Sequence, residues 1–393
     1  MILRFYYDIV CPYAYLASLR IEDVAKRTGA TLEWHPVLLG GLYRHHETAD
    51  VPAQQWTANK VKLGVLDLHR EANAQLAPFQ DNARHPQRTV TAMRLLTLVS
   101  GDARVSMTKA LYAAYWADNL DINSPEVLGP IAKTHGVSID DVNDPDIKLA
   151  LRTHTDAAAK AGVFGVPTCE VGGQLWWGQD RLHLVEKALG GNPTIEPQIH
   201  HKSTGTKISF FHDFSSPFSY LASTQINRIA EERGAQVEWK PILLGALFKS
   251  IDTPNVPLFA MSQAKQAYML RDLHDWAKWW GVEFSFPNTF PIRTVQALRV
   301  AIIEPAATHH LYRSVWVDGK DIGDPEVLRS ILDAAGFNGE ELIARTQDPD
   351  IKAALRDNTA LAETVGACGV PTASIGNTLF WGQDRLHRMA EAL

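Results

Sequence analysis

Residues 5–18 read Phe5-Tyr-Tyr-Asp8-Ile-Val-Cys11-Pro12-Tyr-Ala-Tyr15-Leu-Ala-Ser18, and residues 210–223 read Phe210-Phe-His-Asp213-Phe-Ser-Ser216-Pro217-Phe-Ser-Tyr220-Leu-Ala-Ser223. Each stretch predicts an apolar strand, a short turn and a helix, with Cys11 or Ser216 directly before the proline that opens the helix. The unpaired N–H groups and the dipole of a helix N-terminus favour an anion, so Cys11 is expected to have a lowered pKa. The Ser216 hydroxyl is placed to donate to a thiolate held in front of it. The plain alternative is that Cys11 is a small buried residue and Ser216 an ordinary N-cap.

These stretches belong to an internal repeat that runs through the whole chain. Their separation is 205 positions at Cys11 and Ser216 and 204 positions at Trp177 and Trp381, so the two copies have nearly the same length. The later matching motifs are Glu33-Trp34-His-Pro36 with Glu238-Trp239-Lys-Pro241, Gly165-Val166-Pro167-Thr168 with Gly369-Val370-Pro371-Thr372, and Trp177-Gly-Gln-Asp180-Arg181-Leu-His183 with Trp381-Gly-Gln-Asp384-Arg385-Leu-His387. A period this long predicts a tandem duplication rather than a solenoid. We expect domains over 1–190 and 207–393, joined by a polar, aperiodic linker over 191–206.

Composition indicates an ordinary soluble globular protein. The chain has 393 residues, of which 46% are hydrophobic and 21% charged. A net charge of −6 without a basic tract argues against nucleic acid as a partner. The apolar runs are too short for a membrane-spanning helix, and the N-terminus lacks the pattern of a signal peptide. Only three cysteines occur, Cys11, Cys169 and Cys368, which favours free thiols in a reducing cytoplasm.

Within one copy the pattern predicts β-α-β, a long helical stretch, and then β-β-α. Apolar spacing and turn residues define the predicted elements of the first copy. They are a strand over 2–8, a helix over 13–27 that stops at Thr28-Gly29, a strand over 31–38, a mainly helical region over 52–161, a hairpin of strands over 168–171 and 174–177, and a last helix over 180–189.

This order of elements resembles the thioredoxin fold with an inserted helical domain. The fold class is therefore α/β, with two tandem DsbA-like domains that each carry an all-helical insertion. A proline that opens a strand after an apolar residue, as at Pro167 and Pro371, is a position where a cis bond is plausible. Within that fold the chain is similar to the family of 2-hydroxychromene-2-carboxylate isomerases and kappa-class glutathione transferases, which is related to the DsbA oxidoreductases. The resemblance covers essentially all of both copies, and its most specific pieces are the stretch from Asp213 to Ala222 and the motif from Phe380 to Leu386.

The resemblance implies glutathione as cofactor or co-substrate and gives roles to residues of the second copy. Ser216 matches the serine that hydrogen-bonds the glutathione sulfur and helps keep it a thiolate. Val370, before Pro371, matches the residue whose backbone pairs with the cysteinyl part. Asp384 and Arg385 match the motif that holds the γ-glutamyl end, which suits a carboxylate for the ammonium and helix-start N–H groups for the carboxylate. Lys265 resembles the family lysine that reaches glutathione from the insertion, although a solvated helix lysine is an equal alternative.

The first copy matches at Lys60, Val166, Pro167, Asp180 and Arg181, but Cys11 stands where the family has serine. Cys11-Pro-Tyr-Ala14 also lacks the second cysteine of a Cys-x-x-Cys redox pair. Three hypotheses remain open at this point. Cys11 activates glutathione as serine does, or it forms a mixed disulfide with glutathione, or the first domain is a partner that supports the second. Cys169 is expected to be a buried thiol, with proximity to Cys11 as the alternative.

The activity that the resemblance implies is glutathione-dependent isomerisation or transfer on an unsaturated aromatic or related electrophilic acid, in aromatic degradation. The insertion of the second copy offers a pocket, although we expect most of its aromatic residues to be core. They are Trp276, Trp279, Trp280, Phe284, Phe286 and Phe290, with Arg293 as the positive group. The alternative activity is a glutathione-linked thiol–disulfide oxidoreductase that works through Cys11. Because family members commonly dimerise, the fused pair is expected to mimic a homodimer within one chain, and a homodimer of the whole chain is a further open alternative.

Overall fold

The computed structural model describes residues 1–49, 56–193 and 205–393, so most of the predicted linker over 191–206 lies outside the described residues. The predicted α/β class is confirmed, with two thioredoxin-like domains that each carry a helical insertion. Each domain has a four-stranded sheet, in the order β2-β1-β3-β4 and β6-β5-β7-β8. The strands are β1 Ile2–Tyr7, β2 Thr31–Pro36, β3 Thr168–Val171, β4 Gln174–Trp177, β5 Lys207–His212, β6 Gln236–Pro241, β7 Thr372–Ile375 and β8 Thr378–Trp381.

The helices surround these sheets and fill the stretch between the second and third strand of each copy. In the first copy they are α1 Pro12–Ser18, α2 Ile21–Thr28, α3 Leu39–His45, α4 Ala58–Ala74, α5 Val90–Leu98, α6 Gly101–Tyr112, α7 Pro125–Thr134, α8 Pro145–Lys160 and α9 Leu182–Ala188. In the second copy they are α10 Pro217–Arg233, α11 Leu244–Ser250, α12 Gln263–Trp280, α13 Val295–Ile303, α14 Thr308–Trp316, α15 Pro325–Ala334, α16 Gly339–Arg345, α17 Pro349–Val365 and α18 Leu386–Glu391. None of the helices within the described ranges is both long and apolar enough to cross a lipid bilayer.

The sheet topology follows from the connections. β1 and β2 run parallel because a helical crossover joins them, with Phe5 opposite Trp34. β1 pairs antiparallel with β3, where Phe5 lies opposite Cys169, and the short hairpin adds β4 at the edge. The first strand is therefore central, and its carboxyl end delivers Cys11 or Ser216 to the middle of the domain.

The predicted single helix over 13–27 is wrong for the first copy. The chain breaks at Leu19 and Arg20 into α1 and α2, whereas α10 of the second copy is continuous. Glu22 and Asp23 lie in the first turn of α2, and acidic residues there stabilise a helix start. The left-handed Gly29, with φ of 67°, ends α2 where the sequence predicted a stop.

Aromatic residues of the insertion hold the turn before each site helix. Trp116 Nε1 donates to the Ile9 carbonyl at 2.9 Å, and Trp316 Nε1 donates to the Phe214 carbonyl at 2.9 Å. Tyr112 and Tyr312 donate to the carbonyls of the buried aspartates at 3.4 Å in their own domains. The carbonyls of Asp8 and Asp213 also accept from the Cys11 and Ser216 N–H groups at 3.1 Å, so the side-chain bonds add to the backbone bond of each turn and help to fix its position.

The chain forms two compact units, and each unit combines sequence from both copies. The first unit holds the described part of the first copy except Trp56–Leu63, together with Met261–Met269. The second unit holds the described part of the second copy except Met261–Met269, together with Trp56–Leu63. The start of each helical insertion therefore belongs to the compact unit that is formed mainly by the other copy.

Candidate active site

Ser216 is the N-cap of α10, and its side chain makes two hydrogen bonds. Its Oγ accepts from the Ser219 N–H at 3.1 Å and donates to the Val370 carbonyl at 3.1 Å. The residue is 4% exposed and has extended backbone angles, as an N-cap requires. The helix start, the hydroxyl and the strand that begins after Val370 are thus joined through one oxygen.

Cys11 occupies the same place in the first unit. Its Sγ donates to the Val166 carbonyl at 3.1 Å, and Pro12 opens α1. Burial raises the pKa of the Cys11 thiol to about 12, although the N–H groups of Ala14 and Tyr13 act in the opposite direction. The expected lowering of this pKa is therefore wrong, because desolvation of the thiolate outweighs the favourable helix start. Cys11 is a protonated thiol at neutral pH.

A buried carboxylate fixes the turn in front of each of these residues. Asp213 accepts from the N–H groups of Ser215 and Leu244, both at 2.9 Å. Asp8 accepts from Val10 at 3.1 Å and from Leu39 at 2.9 Å. Burial raises the pKa of both aspartates. The sequence motifs alone predict no role for Asp8 and Asp213, although both recur three residues before Cys11 and Ser216 and this recurrence is a signal for them.

The loop that contains Pro167 or Pro371, called the proline loop below, lies next to Cys11 or Ser216. The Val166–Pro167 and Val370–Pro371 bonds are both cis. The Gly178 N–H donates to the Pro167 carbonyl at 2.9 Å, and the matching bond in the second unit, from Gly382, has the same length. This bond brings the Trp-Gly-Gln-Asp-Arg motif next to the proline loop in each unit.

Asp180 and Asp384 lie in short 3-10 turns, Gln179–Arg181 and Gln383–Arg385. The prediction that these motifs open the last helix is corrected, since α9 and α18 begin only after the turns. The glycine before each turn is required, because its φ is 107° or 110° and a Cβ there would lie 2.5 Å from the aspartate Oδ1. The carboxylates pair with Arg181 at 3.0 Å and with Arg385 at 3.5 Å.

The structure corrects the assignment of the two candidate lysines. Sequence order predicts that each lysine serves its own copy, but Lys265 belongs to the first unit and Lys60 to the second. Lys265 Nζ lies 4.9 Å from the centre of the Trp177 ring. Lys60 Nζ lies 4.6 Å from the Trp56 ring and 5.9 Å from the Trp381 ring. Each lysine thus lies over the tryptophan that precedes the Gly-Gln-Asp-Arg motif of its unit.

The remaining cysteines are buried free thiols. Cys169 lies in β3 opposite Phe5, and burial raises its pKa to about 12. Burial raises the pKa of Cys368 to about 11, while the Lys60 ammonium acts in the opposite direction. Burial also lowers the pKa of Lys60. Neither thiol is therefore ionised at neutral pH.

The aromatic residues proposed for a substrate pocket are largely part of the second unit's core. Trp276 is buried, and the other five are partly buried against the same cluster around Trp316. Phe284 stacks on Trp316 at 6.0 Å and Phe286 contacts it at 5.6 Å. Arg293 is exposed. The first unit has a smaller counterpart, in which Phe79 stacks on Trp116 at 5.6 Å.

The chain is similar to known proteins over both of its copies. The family model described as DSBA-like thioredoxin domain matches residues 2–190 and 207–393. The chain is 28% identical over 195 residues to 2-hydroxychromene-2-carboxylate isomerase of Sphingobium xenophagum, which covers 47% of this chain and 96% of that protein. It is 26% identical over 207 residues to glutathione S-transferase kappa 1 of Caenorhabditis elegans, which covers 48% of this chain and 90% of that protein. A solved structure of 2-hydroxychromene-2-carboxylate isomerase has a TM-score of 0.42 and 24% identity, and the match covers 48% of this chain and 95% of that one.

Proposed function

This chain belongs to the DSBA-like thioredoxin-domain family, and from that premise we propose that it is a glutathione-dependent isomerase or transferase. Its substrate class is an unsaturated aromatic acid or a related electrophilic acid. The curated relatives that it matches are isomerases and glutathione transferases, each about as long as one copy. These relatives support an enzymatic role for the fold.

The observation that carries the proposal is the hydrogen bond from Ser216 Oγ to the Val370 carbonyl. The hydroxyl lies at a helix N-terminus, where an anion is favoured. Its proton now rests on a neutral carbonyl, and a thiolate is a stronger acceptor for it. Ser216 therefore acts as the donor that stabilises a thiolate, while Asp213 holds the turn that carries it.

Glutathione fits the donor set of each unit. When bound, it supplies a thiolate that adds to an electron-poor conjugated carbon and leaves after bond rotation, or stays attached in a transfer reaction. In the second unit Asp384 and the N–H groups of its turn hold the γ-glutamyl end, Val370 and Pro371 the cysteinyl part, and Arg385 orients Asp384. The fit is supported by the Asp384 side chain, which is paired with Arg385 yet still 17% exposed.

The corresponding set in the first unit is Val166, Pro167, Asp180 and Arg181. Each lysine is assigned to the compact unit in which it lies. Lys60 therefore serves the Ser216 site and Lys265 the Cys11 site. Both ammonium groups lie over the tryptophan beside the aspartate turn, which is a suitable place to attract an anionic tripeptide.

The raised pKa of Cys11 favours one of the hypotheses for this residue. A thiol–disulfide oxidoreductase needs a thiolate as attacking group, and burial opposes its formation at Cys11. The S–H already donates to a carbonyl, as the Ser216 hydroxyl does. We therefore assign Cys11 the role of a hydrogen-bond donor to the glutathione thiolate.

The aromatic residues of the second unit support the proposed substrate class. Partly buried aromatic rings, among them Phe286 and Phe290, lie along the insertion of the second unit, three to seven residues before the exposed Arg293. Flat rings and one guanidinium suit an aromatic carboxylate. The first unit has fewer rings, so we expect the two sites to differ in substrate.

Calorimetry of glutathione binding tests the proposal on the wild type, Cys11→Ala and Ser216→Ala under reducing conditions. Two sites, one weakened by each substitution, are expected. Substrate screening would then start with unsaturated aromatic acids. If the wild-type protein bound no glutathione, the proposal would fail.

A further inference from the structure

We propose that Tyr268 is a positioning residue for the Asp180 turn of the first unit and makes that site more selective for the γ-glutamyl group than the second. The proposal rests on the glutathione-binding function above. Tyr268 comes from the second copy in sequence but belongs to the first compact unit. It is 5% exposed.

One hydroxyl holds both backbone polar groups of Trp177. Tyr268 Oη accepts from the Trp177 N–H at 3.0 Å and donates to the Trp177 carbonyl at 3.2 Å. Trp177 is the last residue of β4, and β4 is an edge strand of its sheet. The outward backbone groups of an edge strand lack a strand partner, and Tyr268 supplies one.

The next residue is held from the opposite side. The Gly178 N–H donates to the Pro167 carbonyl at 2.9 Å. The Trp177–Gly178 peptide, two residues before Asp180, is therefore held by Pro167 through its N–H and by Tyr268 through its carbonyl. Gly178 connects this peptide to Asp180, whose Oδ1 would lie only 2.5 Å from a Cβ at Gly178, so a restraint on Trp177 acts close to the carboxylate.

The ring of Trp177 is restrained by the same helix. Lys265 and Tyr268 are three residues apart on α12 and thus share one face. Lys265 Nζ lies over the Trp177 ring, and the Tyr268 ring contacts both Trp177 at 6.2 Å and Phe164 at 5.4 Å. The segment Met261–Met269 thus fixes the tryptophan through its backbone and its side chain.

In the second unit the position that matches Tyr268 cannot supply this hydrogen bond. The residue of the first copy that matches Tyr268 is Leu63, which packs with Cys368 and Leu379. A leucine has no polar side-chain atom and cannot bond the backbone of Trp381. The two sites therefore share the Gly-Gln-Asp-Arg turn but differ in what fixes the strand before it.

The first test removes the hydroxyl alone, in Tyr268→Phe, and compares glutathione with cysteinylglycine, which lacks the γ-glutamyl group. With Ser216→Ala as the host, we expect glutathione to bind about three- to tenfold more weakly to the first site, since two hydrogen bonds are lost. Binding of cysteinylglycine is expected to stay unchanged. A general structural defect would weaken both ligands equally, and that result would overturn the proposal.

The second test adds the hydroxyl to the other unit in Leu63→Tyr, with Cys11→Ala as the host. It is expected to raise the preference of the Ser216 site for glutathione over cysteinylglycine by a similar factor. Amide hydrogen exchange gives a readout without ligand. The Trp177 amide should exchange faster in Tyr268→Phe, while the Trp381 amide stays unchanged.

The exchange experiment separates the two possible failures. If the wild type bound no glutathione, the proposed function would fail, and unchanged protection of Trp177 in Tyr268→Phe would independently overturn the positioning role. If glutathione bound both sites but Tyr268→Phe kept its affinity and selectivity, only the positioning role would fail.

Discussion

In the first unit a thiol and in the second a hydroxyl donate to the carbonyl before a cis-proline, both at 3.1 Å. The buried aspartate, the proline loop and the aspartate turn are the same in both. Several single side chains around this shared frame differ, among them Cys11 against Ser216, Tyr7 against His212, and Tyr268 against Leu63. The two copies thus share the backbone of the candidate site and differ in side chains around it.

The largest expected effect concerns the thiol of Cys11. With its pKa raised to about 12, its thiolate fraction at neutral pH is roughly a thousandfold below that of an exposed cysteine with a pKa near 8.5. Alkylation by iodoacetamide, followed by mass spectrometry from pH 7 to 9.5, should therefore be very slow. Fast alkylation at pH 7 would favour a thiol–disulfide oxidoreductase that works through Cys11. It would also show that Cys11 and Ser216 do not play the same role. Ser216→Cys gives a matched thiol in the second unit, and it should be equally slow.

The next effect concerns turnover. Removal of one preorganised donor costs about 10²–10³ in kcat in other enzymes, so Ser216→Ala is expected to lower turnover by about a hundredfold on a substrate of the second site. Cys11→Ala should leave that turnover unchanged if the two sites act separately. Steady-state kinetics on both variants measures this. A loss of similar size in Cys11→Ala would show that the two sites act as one.

The third difference is in acid stability. His212 is fully buried, with Nδ1 2.9 Å from the Tyr312 hydroxyl, and burial lowers its pKa to about 3. In the unfolded chain His212 binds a proton near pH 6.5, whereas in the folded chain it stays neutral down to about pH 3. The folded state therefore loses stability as the pH falls below about 6.5. The loss is about 2 kcal/mol at pH 5. His309, the other imidazole acting on His212, is also shifted downward by burial and adds to this loss.

Tyr7 occupies the place of His212 in the first unit and donates to or accepts from Thr108 at 2.7 Å. It does not titrate in this range, and the raised pKa values of Asp8 and Asp213 affect both units in the same direction. Hydrogen exchange at pH 5 and 8 should therefore show that protection falls more in β5 than in β1. His212→Tyr is the control, and the prediction is wrong if it leaves the acid sensitivity of β5 unchanged.

The smallest effect tests the exchanged lysines. Lys265→Met is expected to weaken glutathione binding at the Cys11 site by about fivefold, a typical loss of about 1 kcal/mol for a partly exposed charge contact. Lys60→Met should do the same at the Ser216 site. Calorimetry on the two variants measures the affinity of each site for glutathione. If each lysine affected the site of its own copy instead, the assignment would be reversed.

Much of the frame could be predicted because it is encoded locally. The repeat, the hairpin of β3 and β4 and the helix start after Cys11 or Ser216 follow from apolar spacing, glycine and proline. The resemblance supplied the site residues. The exchange of Lys60 and Lys265 was missed because sequence order gives no information about which compact unit a segment joins. The raised pKa of Cys11 was not predicted because the motif indicates the helix dipole but not the burial of the thiol.

The exchanged segments Trp56–Leu63 and Met261–Met269 also bear on how this gene has been able to change. A duplicated domain usually leaves a spare that can decay or be deleted. Here a deletion of either half would remove part of the compact unit encoded mainly by the other half. Loss of either half would therefore affect both compact units. Sequence changes in Trp56–Leu63 or Met261–Met269 thus act on the unit formed mainly by the other copy.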